Sequence, residues 1–182
     1  MSLVTARWKS IAKEAVERAA IMARFLCLLH VTDAYLFSST LVYGPSMFPT
    51  LNLAGDVLIV ERVSHRRGKV GPGDVVLVKS PVDPRKTITK RIIGVGGDWV
   101  TFPVGPGNGD RSRSVMGCLG EAMIRGHCHL FLRVPKGHVW IQGDNMYAST
   151  DSRNFGPVPY GLILGKVFCR VWPPEGFGSI SH

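Results

Sequence analysis

From residue 43 onward the sequence consists of short apolar or alternating segments separated by turn residues, without helical periodicity of any length. Turn residues are abundant, since the 182 residues include 21 glycines and 12 prolines. Two Gly-Asp pairs each lead into a Val-rich run, which is typical of a turn before a buried strand. Strands are predicted at residues 56–63, 74–79, 86–95, 98–102, 130–134, 138–142 and 164–171. The pattern therefore predicts a mostly β body with antiparallel pairing.

Residues 1–43 follow a different pattern. Residues 1–24 carry five Lys or Arg against two Glu, with apolar residues at helical spacing, which predicts a basic amphipathic helix. Residues 25–43 approach the roughly 20 apolar residues that one bilayer crossing needs, yet they contain His30 and Asp33. A charge at mid-membrane costs at least ~2.5 kcal/mol, so two interpretations stay open. The segment is a single transmembrane helix, or it lies on the membrane or against the body. It leads directly into the motif at Ser46, and we expect it to be retained rather than cleaved as a signal peptide.

The sequence thus divides into an N-terminal helix at 1–43 and a β domain at 44–182, within which 103–129 is Gly-, Arg- and Ser-rich and is expected to form a mobile loop. The four cysteines form no CxxC, which argues against a zinc ribbon or a thioredoxin-type site. Cys118 and the His127-Cys128-His129 tract have metal-binding residue types without zinc spacing, so neither a metal nor a cofactor is predicted. An oxidising compartment would permit a Cys118–Cys128 disulfide, but free thiols are the expectation.

The formal net charge of +9 raises the alternative of a nucleic-acid-binding module. The positive residues are spread along the chain, and the densest clusters, within 62–69 and 86–91, have no interleaved aromatic residues that could stack on bases. The charge therefore indicates a solvated surface with some attraction to anionic lipid head groups, and no nucleic-acid partner is predicted.

The segment 44–50 can present a nucleophile. Its serine, Ser46, lies between Gly44-Pro45 and Pro49-Thr50, a stiff backbone that can place a hydroxyl beside free N–H groups, as an oxyanion hole requires. An ordinary Pro/Gly loop is equally compatible with these residues taken alone.

A serine nucleophile needs a base, and none of the six histidines lies in a motif that resembles a triad element. A lysine can serve if burial lowers its pKa from roughly 10.4. Alternation in the predicted strand puts Lys90 on one face with Ile88 and Ile92. Such a lysine is either buried for a purpose or snorkels at an edge, and snorkelling is the commoner outcome.

The turn at 143–156 contains more polar residues than loop closure demands. Asx and ST turns explain part of this composition. An Asp151–Arg153 ion pair and the Ser149 hydroxyl could also brace a neighbouring active site.

Together the three segments resemble the type I signal peptidase family, with its Ser-Met-x-Pro-Thr box, Lys-Arg box and Gly-Asp-Asn-x3-Ser-x-Asp-Ser-Arg box. The resemblance covers nearly all of residues 40–172, and the short length and the tail at 155–162 are most similar to the mitochondrial inner membrane peptidase branch, in its first-subunit form. The matching residues are Ser46-Met47-Phe48-Pro49-Thr50, Lys90-Arg91 and 143–153.

The resemblance implies a signal-peptidase-like β fold and a Ser–Lys dyad, with Ser46 as nucleophile and Lys90 as base. It also implies that Ser149 orients Lys90 and that four residues hold the third box in shape: Asp144, Asn145, Asp151 and Arg153. Some bacterial relatives have a second serine where this chain has Gly44, which leaves the second oxyanion donor open. By resemblance the substrates are precursor proteins and the protein lies in the mitochondrial inner membrane, its catalytic domain facing the intermembrane space, with a partner peptidase subunit.

Two further protein classes share part of this pattern. The self-cleaving repressors also use Ser–Lys chemistry on a small β body, but they carry a helix-turn-helix, whereas the helix here is single. An inactive subunit that only binds precursors is disfavoured by the intact Ser46, Lys90 and Ser149.

Overall fold

The computed structural model describes residues 2–103, 120–124 and 127–180. The chain forms two compact units, Met1–Phe37 and Ser38–His182. The boundary lies six residues before the one expected from the sequence, because Phe37–Tyr43 forms a strand that was not predicted.

The first unit is helical. Helix α1 covers Ser2–Val31 and is extended by a π-helical turn at Thr32–Leu36. The segment Ile11–Leu36 has 26 residues and a mean hydropathy of 1.4, so by length and composition it could cross a membrane, and none of it is buried in the protein. The predicted apolar N-terminal helix is therefore confirmed.

The sequence predicted a helix as far as Tyr43, but the helix ends before that residue. Phe37–Tyr43 is a strand, β1, whose residues alternate between exposed and half-buried. Phe37 already has extended backbone angles, φ −135° and ψ 143°. Aromatic and β-branched residues predominate in this segment, and such residues favour a strand over a helix.

The second unit is a seven-stranded sheet accompanied by a three-stranded one, with strand orders β1-β2-β10-β3-β4-β8-β9 and β5-β7-β6. In the large sheet each strand from β2 to β9 in this order pairs antiparallel with the next, and the small sheet is also antiparallel. This confirms the predicted antiparallel β body. The remaining strands are β2 Ala54–Glu61, β3 Val75–Lys79, β4 Thr87–Val95, β5 Trp99–Pro103, β6 Gly120–Ile124, β7 His127–Arg133, β8 His138–Gln142, β9 Val158–Pro159 and β10 Ile163–Trp172. Two single-turn helices, α2 Val63–Arg66 and α3 Ser152–Phe155, interrupt the strands.

All seven predicted strands are present, with ends that shift by a few residues. β1, β6 and β9 were not predicted, and β6 with the start of β7 lies inside the segment 103–129. Most of the expected loop lies outside the described residues, which omit 104–119, with Cys118, and 125–126. The side chains of His127, Cys128 and His129 are not described either. In the described part of the chain Cys27 and Cys169 are free thiols.

Three clusters of buried apolar side chains stabilise the β body. One joins β3, β4 and β8 through residues such as Val76, Ile92 and Ile141. Another joins β2 and β10 to the segment after β1 through Met47 and Leu51. The third surrounds Trp140, whose ring stacks on Phe102 at a centroid distance of 4.7 Å. The second cluster contains Met47, the residue that follows Ser46.

Candidate active site

Ser46 lies in a tight turn between β1 and β2. Pro45–Met47 form a 3₁₀ turn that follows Gly44, whose φ of 108° and ψ of 158° are essentially restricted to glycine. The Gly44 N–H donates to the carbonyl of Leu53 at 2.7 Å, which closes the loop. Met47 and Leu51 are each 1% exposed and anchor the loop in the core, while Ser46 stays half-buried above them. The loop therefore holds the serine on a rigid base.

Lys90 is buried within β4, with only 3% of its surface exposed, so the snorkelling alternative does not describe it. Its Nζ donates to Ser149 Oγ at 2.9 Å. Burial lowers the pKa of Lys90 from its ordinary value of 10.5 to about 8; the carboxylate of Asp151 opposes this shift, Arg153 adds to it and Asp144 opposes it. A lysine with such a pKa is neutral in a substantial fraction of molecules near pH 8, which a general base requires.

Ser149 connects Lys90 to a buried carboxylate. Its hydroxyl donates to Asp151 Oδ2 at 2.6 Å, and Asp151 is fully buried. Arg153 donates to both oxygens of Asp151, from Nε at 2.9 Å and from Nη2 at 2.6 Å. Burial alone would raise the pKa of Asp151, but hydrogen bonds, chiefly from Arg153 and the Gly143 N–H, hold that pKa below its ordinary value. Asp151 also caps α3 in a capping box with Asn154, which fixes the carboxylate by local structure.

Asp144 joins β4 to the serine loop. Arg91 binds it in a bidentate manner, Nε to Oδ1 at 2.9 Å and Nη2 to Oδ2 at 2.8 Å, and Thr50 Oγ1 donates to Oδ2 at 2.6 Å. Burial would raise the pKa of Asp144, but the hydrogen bonds from Arg91 and Thr50 outweigh it and lower that pKa. Asn145 contributes through its backbone, since its N–H donates to the carbonyl of Ser46 at 3.0 Å.

Gly143 allows the Ser46 loop and the Ser149 turn to approach each other. A Cβ at this position would overlap both Ser149 Oγ and the carbonyl oxygen of Ser46. The Gly143 N–H also donates to Asp151 Oδ2 at 2.8 Å. Any side chain here would therefore separate the segment that carries the serine from the one that holds the lysine.

The structure thus brings together all seven residues singled out from the sequence: Ser46, Lys90, Ser149, Asp144, Asn145, Asp151 and Arg153. Ser46 Oγ and Lys90 Nζ are not hydrogen-bonded to each other within the described residues; such bonds are often long in a site without substrate. The sequence analysis overlooked the roles of Thr50, Arg91 and Gly143. All three lie in the quoted boxes, but their partners are distant in sequence, such as Asp144 for Thr50.

A groove of about 250 Å³ opens beside Ser46. One wall is the end of β1, from Thr40 to Tyr43, and the other is the start of β4, residues 87–89. β1 is an edge strand of the large sheet, and the pairing of β4 with β8 begins only at Arg91. In the described residues both walls therefore offer strand edges that an extended peptide could pair with.

Several known proteins are similar in sequence to this chain. The family model described as "Signal peptidase, peptidase S26" matches residues 15–106 and 111–172. The chain is 59% identical to the mitochondrial ATP-independent inner membrane protease subunit 1a of Arabidopsis thaliana over 96% of this chain and 94% of that protein. It is 35% identical to the mitochondrial inner membrane protease subunit 1 of Mus musculus, over 94% and 92% of the two chains. A solved signal peptidase I from Enterococcus faecalis aligns with 54% of this chain and 96% of its own at 24% identity, with a TM-score of 0.38.

Proposed function

The chain belongs to the signal peptidase family, peptidase S26, and on this premise we propose that it is a membrane-bound serine endopeptidase that removes presequences from precursor proteins. The observation that carries the proposal is Lys90, a buried lysine with a pKa of about 8 that donates to Ser149. A lysine of this kind, next to a rigid loop that presents a serine, has the properties of a general base.

In the proposed reaction Ser46 Oγ attacks the scissile carbonyl and neutral Lys90 accepts its proton. The resulting ammonium protonates the leaving amine, and the acyl group remains on Ser46. Lys90, neutral again, then removes a proton from water, which attacks the ester; as the ester bond breaks, the Lys90 ammonium returns that proton to Ser46 Oγ and the second product is released. The Lys90 N–H that donates to Ser149 fixes the amine, because Ser149 in turn donates to the buried Asp151. The lone pair of the amine is thereby left for the proton of Ser46 or of water.

The oxyanion of each intermediate would be stabilised by backbone N–H groups, chiefly that of Ser46. Gly44 has no side chain to donate, and its φ of 108° disfavours any other residue there. Two hydrogen bonds support this role, because they hold the loop in one geometry. Thr50 donates to Asp144 of the third box, and the Asn145 N–H donates to the carbonyl of Ser46.

The groove between β1 and β4 supports docking of the precursor as an added strand. Main-chain pairing with these two edges would hold the substrate irrespective of most of its side chains. This mode suits a peptidase that acts on several precursors, with a small residue expected before the cut.

The names of the relatives support a location and an assembly. Proteins named as subunits of a mitochondrial inner membrane protease cover most of this chain, which supports the same membrane and a partner subunit. The apolar segment Ile11–Leu36 would serve as the anchor. Its basic N-terminal flank favours retention on the side of insertion, so the β body would face the intermembrane space.

Cleavage of a presequence-bearing precursor by the detergent-solubilised protein tests the proposal. Wild type should cleave, whereas Ser46→Ala and Lys90→Ala should not, with unchanged circular dichroism. Lys90→Arg should also be inactive, because a guanidinium cannot lose its proton. The exposed Lys79 offers a matched control, and Lys79→Ala should retain full activity.

Activity in Ser46→Ala would refute the dyad. If wild type binds the precursor without cleaving it, alone and with candidate partner subunits, the protein is a binding subunit rather than an enzyme.

A further inference from the structure

A second cavity, of about 350 Å³, lies in the β body on the side of α2. Arg62, His65 and Arg66, from the segment that follows β2, form its charged wall, and Ser38 of β1 and Leu77 of β3 also line it. This cavity is called the basic pocket below.

The basic pocket continues the groove that begins at Ser46. Leu77 lines both cavities. On β1 the half-buried residues alternate, so Ser38, Thr40 and Val42 share one face. Thr40 and Val42 line the groove near Ser46, and Ser38 lines the basic pocket. A peptide that follows β1 from the serine loop would therefore reach the basic pocket after about five residues, or roughly 17 Å.

The chemistry of the basic pocket suits an anionic group. Arg62 and Arg66 remain positive at any physiological pH. Burial, then Arg66 and Arg62, lower the pKa of His65, while Glu61 opposes them. His65 Nδ1 is buried and has no hydrogen-bond partner among the described residues.

We infer that the basic pocket binds an acidic side chain of the precursor, about four to six residues from the scissile bond. A carboxylate there would lie against Arg62, Arg66 and His65, the residues that form the charged wall of the basic pocket. The inference rests on the proposed function, and it adds a specificity determinant at a distance from the reacting atoms. An aspartate or glutamate at this distance would select among precursors that share the same residues at the cut.

The test is cleavage kinetics on a precursor peptide that wild type cleaves. All acidic residues within eight positions of the cut are first replaced by glutamine, and a single glutamate is then placed at each position in turn, on both sides. One position, four to six residues from the cut, should raise kcat/KM about tenfold. Arg62→Gln with Arg66→Gln should abolish this gain while cleaving the all-glutamine peptide as wild type does. Arg67→Gln, an exposed neighbour outside the basic pocket, should retain the gain.

Three outcomes would overturn the inference. A scan without any preferred position would show that no acid is recognised. A gain that survives in the double variant would place recognition elsewhere. The same kinetics can be measured with the protein in vesicles that contain phosphatidylglycerol. If the double variant loses activity only in these vesicles, and equally with glutamate and glutamine peptides, the basic pocket binds a lipid phosphate instead. Absence of cleavage by wild type would instead refute the proposed function itself.

Discussion

Replacing Lys90 with methionine should remove activity and at the same time make the protein more stable at neutral pH. Methionine has a similar length and no charge, so it can fill the same space in β4 without the cost of burying an ammonium group. The expected size of the effect follows from the pKa of Lys90, which is lowered from 10.5 to about 8 in the folded protein.

Each unit of pKa corresponds to about 1.4 kcal/mol, so protonated Lys90 lowers the free energy of unfolding by about 3 kcal/mol at any pH below 8. Between pH 8 and 10.5 the unfolded chain binds a proton that the folded protein does not, and stability therefore rises with pH. Above 10.5 both states are neutral and the cost is absent. Methionine loses the hydrogen bond to Ser149, worth about 1–2 kcal/mol. The variant should thus be more stable than wild type by roughly 1–2 kcal/mol at pH 7.

Denaturant unfolding of the detergent-solubilised protein, followed by tryptophan fluorescence, measures this difference, because Trp140 is fully buried in the β body. The difference between variant and wild type should shrink by about 3 kcal/mol from pH 7 to pH 10.5 and change sign on the way. Lys79→Met, at an exposed lysine of the neighbouring strand, should show no such dependence. A variant that is less stable than wild type at pH 7, or a difference independent of pH, would refute the reasoning.

Three further predictions concern the site. The rate of cleavage should rise as the pH passes through about 8, where Lys90 becomes neutral, and a flat rate between pH 6 and 10 would argue against a lysine base. Arg153→Gln removes a positive charge and the arginine partner of Asp151, and both changes raise the pKa of Lys90. The midpoint of the pH–rate profile should therefore move to higher pH. An unmoved midpoint in a folded variant would contradict this. Gly143→Ala should lower kcat at least tenfold and stability by about 1–3 kcal/mol, because its Cβ overlaps Ser149 Oγ and the Ser46 carbonyl; Gly71→Ala, where nothing lies within 4 Å, is the control, and equal effects at both sites would disprove the steric argument.

Short-range patterns in this sequence predicted most of the sheet. Alternation placed β4 correctly and put Lys90 with Ile92 on a buried face. The same reasoning failed at β1, because Phe37–Tyr43 continues an apolar run and hydropathy does not distinguish a strand from a helix. The missed signal was the content of β-branched and aromatic residues, which favours extended backbone.

The site divides in the same way between local and distant contacts. The Asp151–Arg153 pair is two residues apart and could be proposed from the sequence directly. The Arg91–Asp144 pair spans 53 residues and the Lys90–Ser149 bond 59, so only the fold or a family resemblance can connect them. Burial of Lys90 is likewise a tertiary property, since the sequence alone favoured snorkelling.

The two Asp–Arg pairs help to explain why the pKa of buried Lys90 stays below its ordinary value although two carboxylates lie nearby. An unpaired carboxylate near Lys90 would stabilise its ammonium form and raise its pKa, which would disable a base. Asp151 and Asp144 both accept hydrogen bonds within the site, and each is bound by its own arginine, Arg153 and Arg91 respectively. Arg153 offsets part of the effect that Asp151 has on Lys90, and desolvation remains the largest influence on the pKa of the lysine. The arginines thus let the same carboxylates serve as rigid hydrogen-bond acceptors while the pKa of the base stays near 8.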